Sequence, residues 1–150
     1  MIDPTAISQT LGRAEFLDEL RRILADAERA IAASDPACES CGQCCDFTRM
    51  DHRLYVSTGE LALLCSQPAP RPAKLWRCPY QIDKKCLARR DRPLGCRVFF
   101  CRSPLEEDFY EQFHRKTVKL HRQFSVPYFY TELTGALLTL SDSHSLGVGG

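Results

Sequence analysis

Residues Cys38 to Cys45 read C-E-S-C-G-Q-C-C, which places four thiols within eight positions. Apolar packing does not require sulfur side chains at that density, whereas zinc and iron are commonly held by cysteine thiolates. The other cysteines follow at wider intervals, and they are Cys65, Cys78, Cys86, Cys96 and Cys101. Two groups of four, with Cys65 left over, predict a protein organised around bound metal.

The spacing of the cysteines suits more than one metal. The first group repeats the C-x2-C step and is similar to the C-x2-C-x2-C run of ferredoxins, which bind iron–sulfur clusters. The second group has gaps of seven, nine and four residues, which match no C-x2-C zinc ribbon. Pro79 directly after Cys78 is shared with the C-P pair of bacterial ferredoxins. Spacing alone leaves iron and zinc open.

Length and composition favour one domain in a reducing compartment. A chain of 150 residues can bury a modest core, to which a metal would add stability. Residues 1–14 have neither the basic start nor the apolar run of a signal peptide, which predicts a cytoplasmic protein. There, nine clustered thiols favour metal ligation over disulfide bonds. A membrane span needs about 18 consecutive apolar residues, and no run in this sequence approaches that length. No membrane association is therefore expected.

The net charge of +1 conceals a strongly basic segment. Residues 71–102 carry ten Lys or Arg against Asp83 and Asp91, a local charge of +8 that leaves −7 for the rest of the chain. Thiolates around a metal retain negative charge, which nearby guanidinium and ammonium groups would stabilise. A nucleic-acid surface is the competing interpretation. It is disfavoured because no helix-turn-helix or finger pattern accompanies the basic residues.

Apolar periodicity predicts a long helix before the cysteines. From Ile7 to Ile31 an apolar residue recurs every third or fourth position, which predicts an amphipathic helix over residues 4–33. Asp3 before a proline suits the start of this helix, and Gly12 is expected to separate its first turns from the rest.

Shorter elements are predicted after the first cysteine group. Residues 53–57 alternate like a strand, and Ser57 with Glu60 forms a capping box for a helix that ends near Cys65. On that leucine-rich helix Cys65 is expected to be a small buried hydrophobe rather than a ligand.

The C-terminal third predicts two more helices. Ser103, Pro104 and Glu106 form a helix start, and apolar spacing carries that helix to about residue 124. Pro127 interrupts the pattern. A short apolar helix is predicted over residues 128–140, with a flexible tail over residues 141–150.

With both cysteine groups and R-P-L-G-C-R-V-F-F-C at residues 92–101 in view, the sequence resembles the YkgJ-type family, a zinc- or iron-chelating domain known for its CxxCxxCC motif. The resemblance covers residues 38–101. The matched positions are Cys38, Cys41, Cys44, Cys45, Cys78, Cys86, Arg92, Pro93, Cys96, Arg97, Phe99 and Cys101. The resemblance implies metal or iron–sulfur binding in a small bacterial cytosolic protein, and Cys65 lies outside it.

Three functional hypotheses follow. The first is an iron–sulfur protein, of the 4Fe-4S type, with an electron-transfer or accessory redox role. The second is a structural zinc module with two four-cysteine sites and a surface for a protein partner. The third is an enzyme that uses a free thiolate or an open metal position, assisted by His52, His114 or His121. It ranks last, because His114 and His121 lie amid charged residues, where solvated histidines are expected.

The sequence therefore predicts a mainly α, metal-organised single domain over residues 1–150. A cysteine-rich centre, residues 38–101, is flanked by the N-terminal helix and by C-terminal helices within residues 103–140. Arg92 and Arg97 flank Cys96 and are expected to contact thiolate sulfur. Because the core is small, loss of the metal is expected to cost helical structure. A redox partner or another protein partner is expected, and the sequence does not identify it.

Overall fold

Helices dominate the protein, as predicted. The computed structural model describes residues 3–33, 54–67, 69, 72–73, 75, 78–82, 85–86, 91–98 and 107–145. The elements in that part of the chain are α1 (Pro4–Leu11), α2 (Ala14–Ala33), β1 (Tyr55–Ser57), α3 (Thr58–Cys65), β2 (Gln81–Ile82), β3 (Lys85–Cys86), α4 (Leu94–Val98), α5 (Glu107–Gln123), β4 (Tyr130–Glu132) and α6 (Leu133–Ser145). The strands pair as β1 with β4 and β2 with β3. None of the described helices is long and apolar enough to cross a membrane.

The helix predicted over residues 4–33 forms as two helices that separate at Gly12, the residue expected to break it. Asp3 Oδ1 accepts a hydrogen bond from a first-turn N–H at 2.9 Å and starts α1. The chain turns at Gly12 and Arg13 before α2 begins. The Arg13 guanidinium donates a hydrogen bond to Phe124 O at 2.6 Å, so the turn is bonded to the chain just after α5.

Helix α2 is the central element of the core. Its buried residues recur three or four positions apart, as an amphipathic helix requires. They are Phe16, Leu17, Leu20, Leu24, Ala27 and Ile31. This stripe packs against α3, α4 and α5, and full burial of a Leu or Phe side chain contributes about 1.5–3 kcal/mol. Leu11 and Ala14 fall within the apolar periodicity from Ile7 to Ile31, but both are exposed because the break at Gly12 interrupts the stripe.

The first turn of α3 lies so close to α2 that glycine is required at residue 59. A Cβ on Gly59 would lie 2.8 Å from side-chain carbon atoms of both Leu20 and Phe16. The Gly59 N–H also donates to His121 Nε2, on α5, at 3.0 Å. Gly59 therefore joins three helices at one point of the core.

The β1–β4 pair shows that the prediction for residues 128–140 is wrong in part. Instead of one helix over that range, the chain forms β4, and α6 begins only at Leu133. The register is antiparallel, with the pairs Tyr55↔Glu132, Val56↔Thr131 and Ser57↔Tyr130. A strand of three residues is decided by its distant partner, which local periodicity does not report. Helix α6 also continues through Ser145, into the segment predicted to be a flexible tail.

The C-terminus of α5 closes with a serine in the left-handed region. Ser125 has a φ of 54°, and its N–H bonds to Arg122 O at 3.2 Å. The Val126 N–H reaches His121 O at 2.9 Å, which completes the hydrogen-bond pair of a Schellman motif. Glycine usually fills this position because a Cβ is unfavourable at positive φ.

The substitution Ser125→Gly is expected to raise the free energy of unfolding by about 1 kcal/mol, because it removes the cost of holding a Cβ in the left-handed region. Urea denaturation measures the change. Ser125→Ala keeps the Cβ and serves as the control, for which no gain is expected. An equal gain in both variants would contradict this origin of the effect.

Candidate metal centre

The structure describes part of the predicted ligand set. The residues outside the described part are Cys38, Cys41, Cys44, Cys45, His52 and Cys101, together with the predicted helix start at Ser103, Pro104 and Glu106. The backbone of Cys86 is described, in β3, whereas Cys78 and Cys96 are described with their side chains. The second cysteine group is therefore the part of the candidate centre that can be built from contacts.

Cys78 lies against the apolar core, with 6% of its surface exposed. Two residues later the Tyr80 hydroxyl lies 2.9 Å and 2.8 Å from two carbonyl oxygens at the end of α3, those of Leu64 and Gln67. This contact holds the segment on α3. The chain then forms the β2–β3 hairpin, in which Cys86 pairs with the residue next to Tyr80. The hairpin thus returns Cys86 toward the segment that carries Cys78.

Cys96 is carried by α4, whose first residue is held by a buried carboxylate. Leu94 donates its N–H to Glu60 Oε2 at 2.7 Å. The next residue, Gly95, leaves no room for a side chain, because a Cβ there would lie 2.6 Å from Leu54 Cδ1. Cys96 is partly buried against the core. These contacts bond α4 to α3 and pack it on the residue before β1, which positions the backbone of Cys96.

Glu60 is a positioning residue that the sequence revealed only in part. The capping box predicted with Ser57 is present, and Glu60 Oε1 accepts the Ser57 N–H at 3.1 Å and the Ser57 hydroxyl at 2.8 Å. Only 1% of Glu60 is exposed, and a buried carboxylate is costly unless hydrogen bonds surround it. Leu94 supplies a further hydrogen bond from a distant part of the chain. No sequence pattern signals that second bond.

The residue that follows the basic pair Arg89–Arg90 is a buried aspartate. Asp91 is 3% exposed and accepts hydrogen bonds from Arg21 Nε and Gln67 Nε2, both at 3.2 Å. Arg21 lies on α2, and Gln67 lies just after α3. The stretch that leads into α4 is therefore bonded to both helices.

Of the two arginines that flank Cys96, the structure describes the side chain of Arg92. Arg92 is largely buried, with 12% of its side chain exposed, and its guanidinium lies 3.4 Å from Glu28 Oε1 on α2. The side chain of Arg97 lies outside the described part of the chain. Contact of either guanidinium with sulfur stays a prediction. The largely buried Arg92 does place positive charge two residues before α4.

Cys65, the cysteine left over from the two groups of four, is partly buried against the core at the end of α3. Burial raises the pKa of its thiol to about 11, so the thiol is protonated at neutral pH. Metal binding needs the thiolate, and burial makes the loss of this proton costlier than for an ordinary cysteine. This environment agrees with the expectation that Cys65 serves as a small buried hydrophobe.

The expectation of a solvated histidine is wrong for His121, which is fully buried. Its Nδ1 lies 2.8 Å from Thr117 O, and its Nε2 accepts the Gly59 N–H. Nδ1 therefore carries the proton, since a carbonyl can only accept, and the ring is neutral. Burial lowers the pKa of His121 below its usual value of 6.5. With both ring nitrogens bonded to backbone groups, His121 links α5 to α3.

The folded protein is expected to lose stability as the pH falls below about 6.5, because the unfolded chain then binds a proton at His121 that the folded chain excludes. The loss begins at the ordinary histidine pKa and continues down to the lowered folded pKa. Urea denaturation between about pH 7.5 and about pH 5.5 measures it. His121→Gln cannot titrate in that range and should show a smaller slope. Equal slopes in both proteins would contradict the assignment.

The described donors fit a thiolate-bound metal in kind, although they do not form a complete site. Within residues 3–33, 54–67, 91–98, 107–145 and the short pieces between them, no three His, Cys, Asp or Glu side chains come together as ligands. Cys78 and Cys96 supply soft thiols beside one apolar core, with the guanidinium of Arg92 nearby in the chain. Such donors and such charge suit zinc or iron. Other ligands would come from cysteines outside the described part.

The chain matches no protein-family model, no curated protein and no solved structure. The resemblance to the YkgJ-type family therefore stays a prediction carried by its motif residues.

Proposed function

We propose that the protein binds an iron–sulfur cluster of the 4Fe-4S type through its two groups of four cysteines. The ligands would be drawn from Cys38, Cys41, Cys44, Cys45, Cys78, Cys86, Cys96 and Cys101. When bound, such a cluster supplies one-electron transfer, so the role is electron transfer or an accessory to a redox reaction. A cytoplasmic location is part of the proposal, because a reducing compartment keeps the thiols available.

The observation that carries the proposal is the bonding of residues 91–96 to the helical core. Glu60, on α3, accepts a hydrogen bond from Leu94 N–H in this stretch. Asp91, which belongs to the stretch, accepts hydrogen bonds from Arg21 on α2 and from Gln67 just after α3. Helix α4 has only five residues, too few to be stable by itself. A ligand-bearing segment needs such support, because the sulfur has to meet the metal within a few tenths of an ångström.

The described residues would do two things for a bound cluster. The apolar core around Cys78 would keep water from that sulfur, since the residue is almost fully covered. Arg92 would share its positive charge between Glu28, 3.4 Å away, and the thiolates, and it would so offset part of their negative charge. Both effects favour retention of the cluster.

A structural zinc module is the second candidate. Two groups of four cysteines could form two closed sites, with zinc–sulfur distances of about 2.3 Å. The tight packing of Gly95 on Leu54 supports this candidate equally well, because a closed structural site needs an immobile backbone. In that case the surface, rather than the metal, would carry the function through a protein partner.

Cys96→Ala is expected to lower the metal content of anaerobically purified protein to less than half, whereas Cys65→Ala leaves it unchanged. The reason is that Cys96 belongs to the proposed ligand set and Cys65 is a protonated, core-packed thiol. Elemental analysis and acid-labile sulfide measure the outcome. Iron with sulfide supports the cluster, and zinc without sulfide supports the second candidate. Equal losses in the two variants would contradict the ligand assignment.

A further inference from the structure

Four of the five tyrosines of this protein gather where the β1–β4 pair meets α5. Together with one histidine they form a tyrosine cluster, defined as Tyr55, Tyr110, His114, Tyr128 and Tyr130. Tyr55 and Tyr130 lie diagonally across the strand pair on the same face, because Tyr55 is opposite Glu132 and Tyr130 is opposite Ser57. Their rings stack with centroids 5.5 Å apart.

His114 holds the rest of the cluster together. Its ring centroid lies 4.8 Å from that of Tyr130, 5.5 Å from that of Tyr110 and 6.4 Å from that of Tyr128. The hydroxyls are engaged as well, since Tyr110 bonds to Tyr130, and Tyr128 Oη lies 3.2 Å from His114 Nε2. The hydroxyl ends of three tyrosines are thus held in place within the cluster.

Three of these rings are open to solvent. Tyr55 is 43% exposed, Tyr128 39% and Tyr130 41%, whereas Tyr110 is buried beneath them. Single exposed aromatic residues are ordinary on protein surfaces. Three that are connected through shared ring contacts form a patch, and such a patch commonly marks a binding surface. Tyrosine is also enriched where proteins meet partners, because its rigid ring loses little entropy on binding.

Two carboxylates, Glu60 and Glu111, act on the same rings. Burial raises the pKa of Tyr128 to about 12, and the charges of Glu60 and Glu111 add to that effect. Burial likewise raises the pKa of Tyr130, and the same two carboxylates act on it. Among the described residues, neither Glu60 nor Glu111 forms an ion pair with a Lys or Arg side chain. Both carboxylates therefore act in favour of a cation at these rings.

We propose that the tyrosine cluster is a docking site for an arginine side chain presented by a basic segment of a protein partner. The faces of half-exposed tyrosine rings attract a cation through their quadrupole, and a planar guanidinium can also stack on them. The negative charges of Glu60 and Glu111, which act on Tyr128 and Tyr130, are complementary to that cation. The phosphate backbone of a nucleic acid would be repelled by them. The inference is independent of the metal bound by the cysteines.

The test is titration of the metal-loaded protein with hexa-arginine, hexalysine and hexaglutamate peptides at physiological ionic strength. Hexa-arginine is expected to bind several-fold more tightly than hexalysine, because stacking adds to charge. Hexaglutamate is expected to bind only at the basic segment, residues 71–102, and therefore equally to the unmodified protein and to Tyr55→Leu. Equal affinity for the two basic peptides would overturn the proposal, since charge attraction alone would explain it. Tighter binding of a single-stranded oligonucleotide would overturn it as well.

Variants at Tyr55 test whether binding depends on the aromatic ring or only on apolar surface area. Tyr55→Leu is expected to weaken hexa-arginine binding about fivefold, which is the effect of losing one cation–π contact. Tyr55→Phe keeps the ring and should stay within about twofold of the unmodified protein, because the attraction comes from the ring face. Circular dichroism checks that both variants are folded. Unchanged affinity in Tyr55→Leu, or a change of oligomeric state that accounts for the binding, would overturn the proposal.

A second pair of variants tests the contribution of negative charge to peptide binding. Glu111→Gln and Glu15→Gln change the net charge by the same amount, but only Glu111 acts on the cluster. Glu111→Gln is expected to weaken hexa-arginine binding, and Glu15→Gln to leave it unchanged. Equal weakening by both would show that the peptide responds to net charge, and it would overturn the assignment of the site.

Discussion

Replacing Glu60 with alanine is expected to lower the free energy of unfolding by about 3 kcal/mol, a large share of the roughly 5–15 kcal/mol typical of a domain. The carboxylate accepts hydrogen bonds from the Ser57 N–H, the Ser57 hydroxyl and the Leu94 N–H, and it is 1% exposed. Alanine would leave these donors without an acceptor and would leave a small cavity. Urea denaturation followed by circular dichroism measures the loss.

A surface glutamate provides the control for Glu60. Glu19 on α2 pairs with Arg22 at 2.5 Å, and both side chains are exposed. Glu19→Ala should change stability by no more than about 0.5 kcal/mol, as exposed ion pairs usually do. Glu60→Gln can retain an acceptor toward only one of its two partners, so its loss should be intermediate. A Glu60→Ala effect no larger than that of Glu19→Ala would show that the buried bonds do not hold α4.

The second large effect is expected from Phe16→Ala, which should cost about 3–5 kcal/mol. The Phe16 ring is fully buried and lies edge-on to the rings of His121, at 4.9 Å, and Phe124, at 5.8 Å. It also faces Gly59, where α2 lies close to α3. Removing the ring would open a cavity among α2, α3 and α5. Thermal or urea unfolding measures the cost.

Leu11→Ala is the matched control for Phe16→Ala, since Leu11 is 37% exposed and the substitution removes a similar apolar side chain from the neighbouring helix. Its effect should stay below about 1 kcal/mol, because little burial is lost. Similar costs for the two substitutions would contradict the placement of Phe16 at the centre of the core.

The described core bears on one expectation drawn from the sequence. The number of cysteines suggests that loss of metal costs helical structure. In the described part of the chain, the buried core is built from helical apolar side chains, and Cys78 is the motif cysteine that belongs to it. The expected loss of helical circular dichroism on metal removal stays a prediction, because the first cysteine group lies outside the described residues.

Local patterns in the sequence predicted α1, α2, α3 and α5, whereas α4 was not predicted and the helix expected over residues 128–140 was wrong in part. The apolar stripe of α2, the break at Gly12 and the capping box at Ser57 depend on residues within a few positions of one another, and all three are present. The strand β4 was missed because its partner β1 lies in a distant part of the sequence. The burial of His121 was missed for the same reason, since its ring meets Gly59, which lies on another helix far away in the chain.

The candidate site was also predicted where it depends on local spacing and missed where it depends on contacts between distant residues. Cysteine spacing alone predicts a ligand set, because apolar packing does not require thiols at such density. The support of Cys96 by Glu60 and the burial of Asp91 depend on how α2, α3 and α4 pack, and no spacing rule reveals them. The tyrosine cluster was missed because its members come from separate parts of the chain and share no periodicity.

The pairing of β1 with β4 also has a consequence for synthesis of the chain on the ribosome. Strand β1 is made soon after the first cysteine group, whereas β4 follows α5 and emerges late. Contacts between such distant segments form slowly, because a long loop has to close first. Both cysteine groups therefore leave the ribosome before Val56 meets its partner strand. We expect the nascent chain to present its thiols to solvent, or to a metal donor, before the core can close.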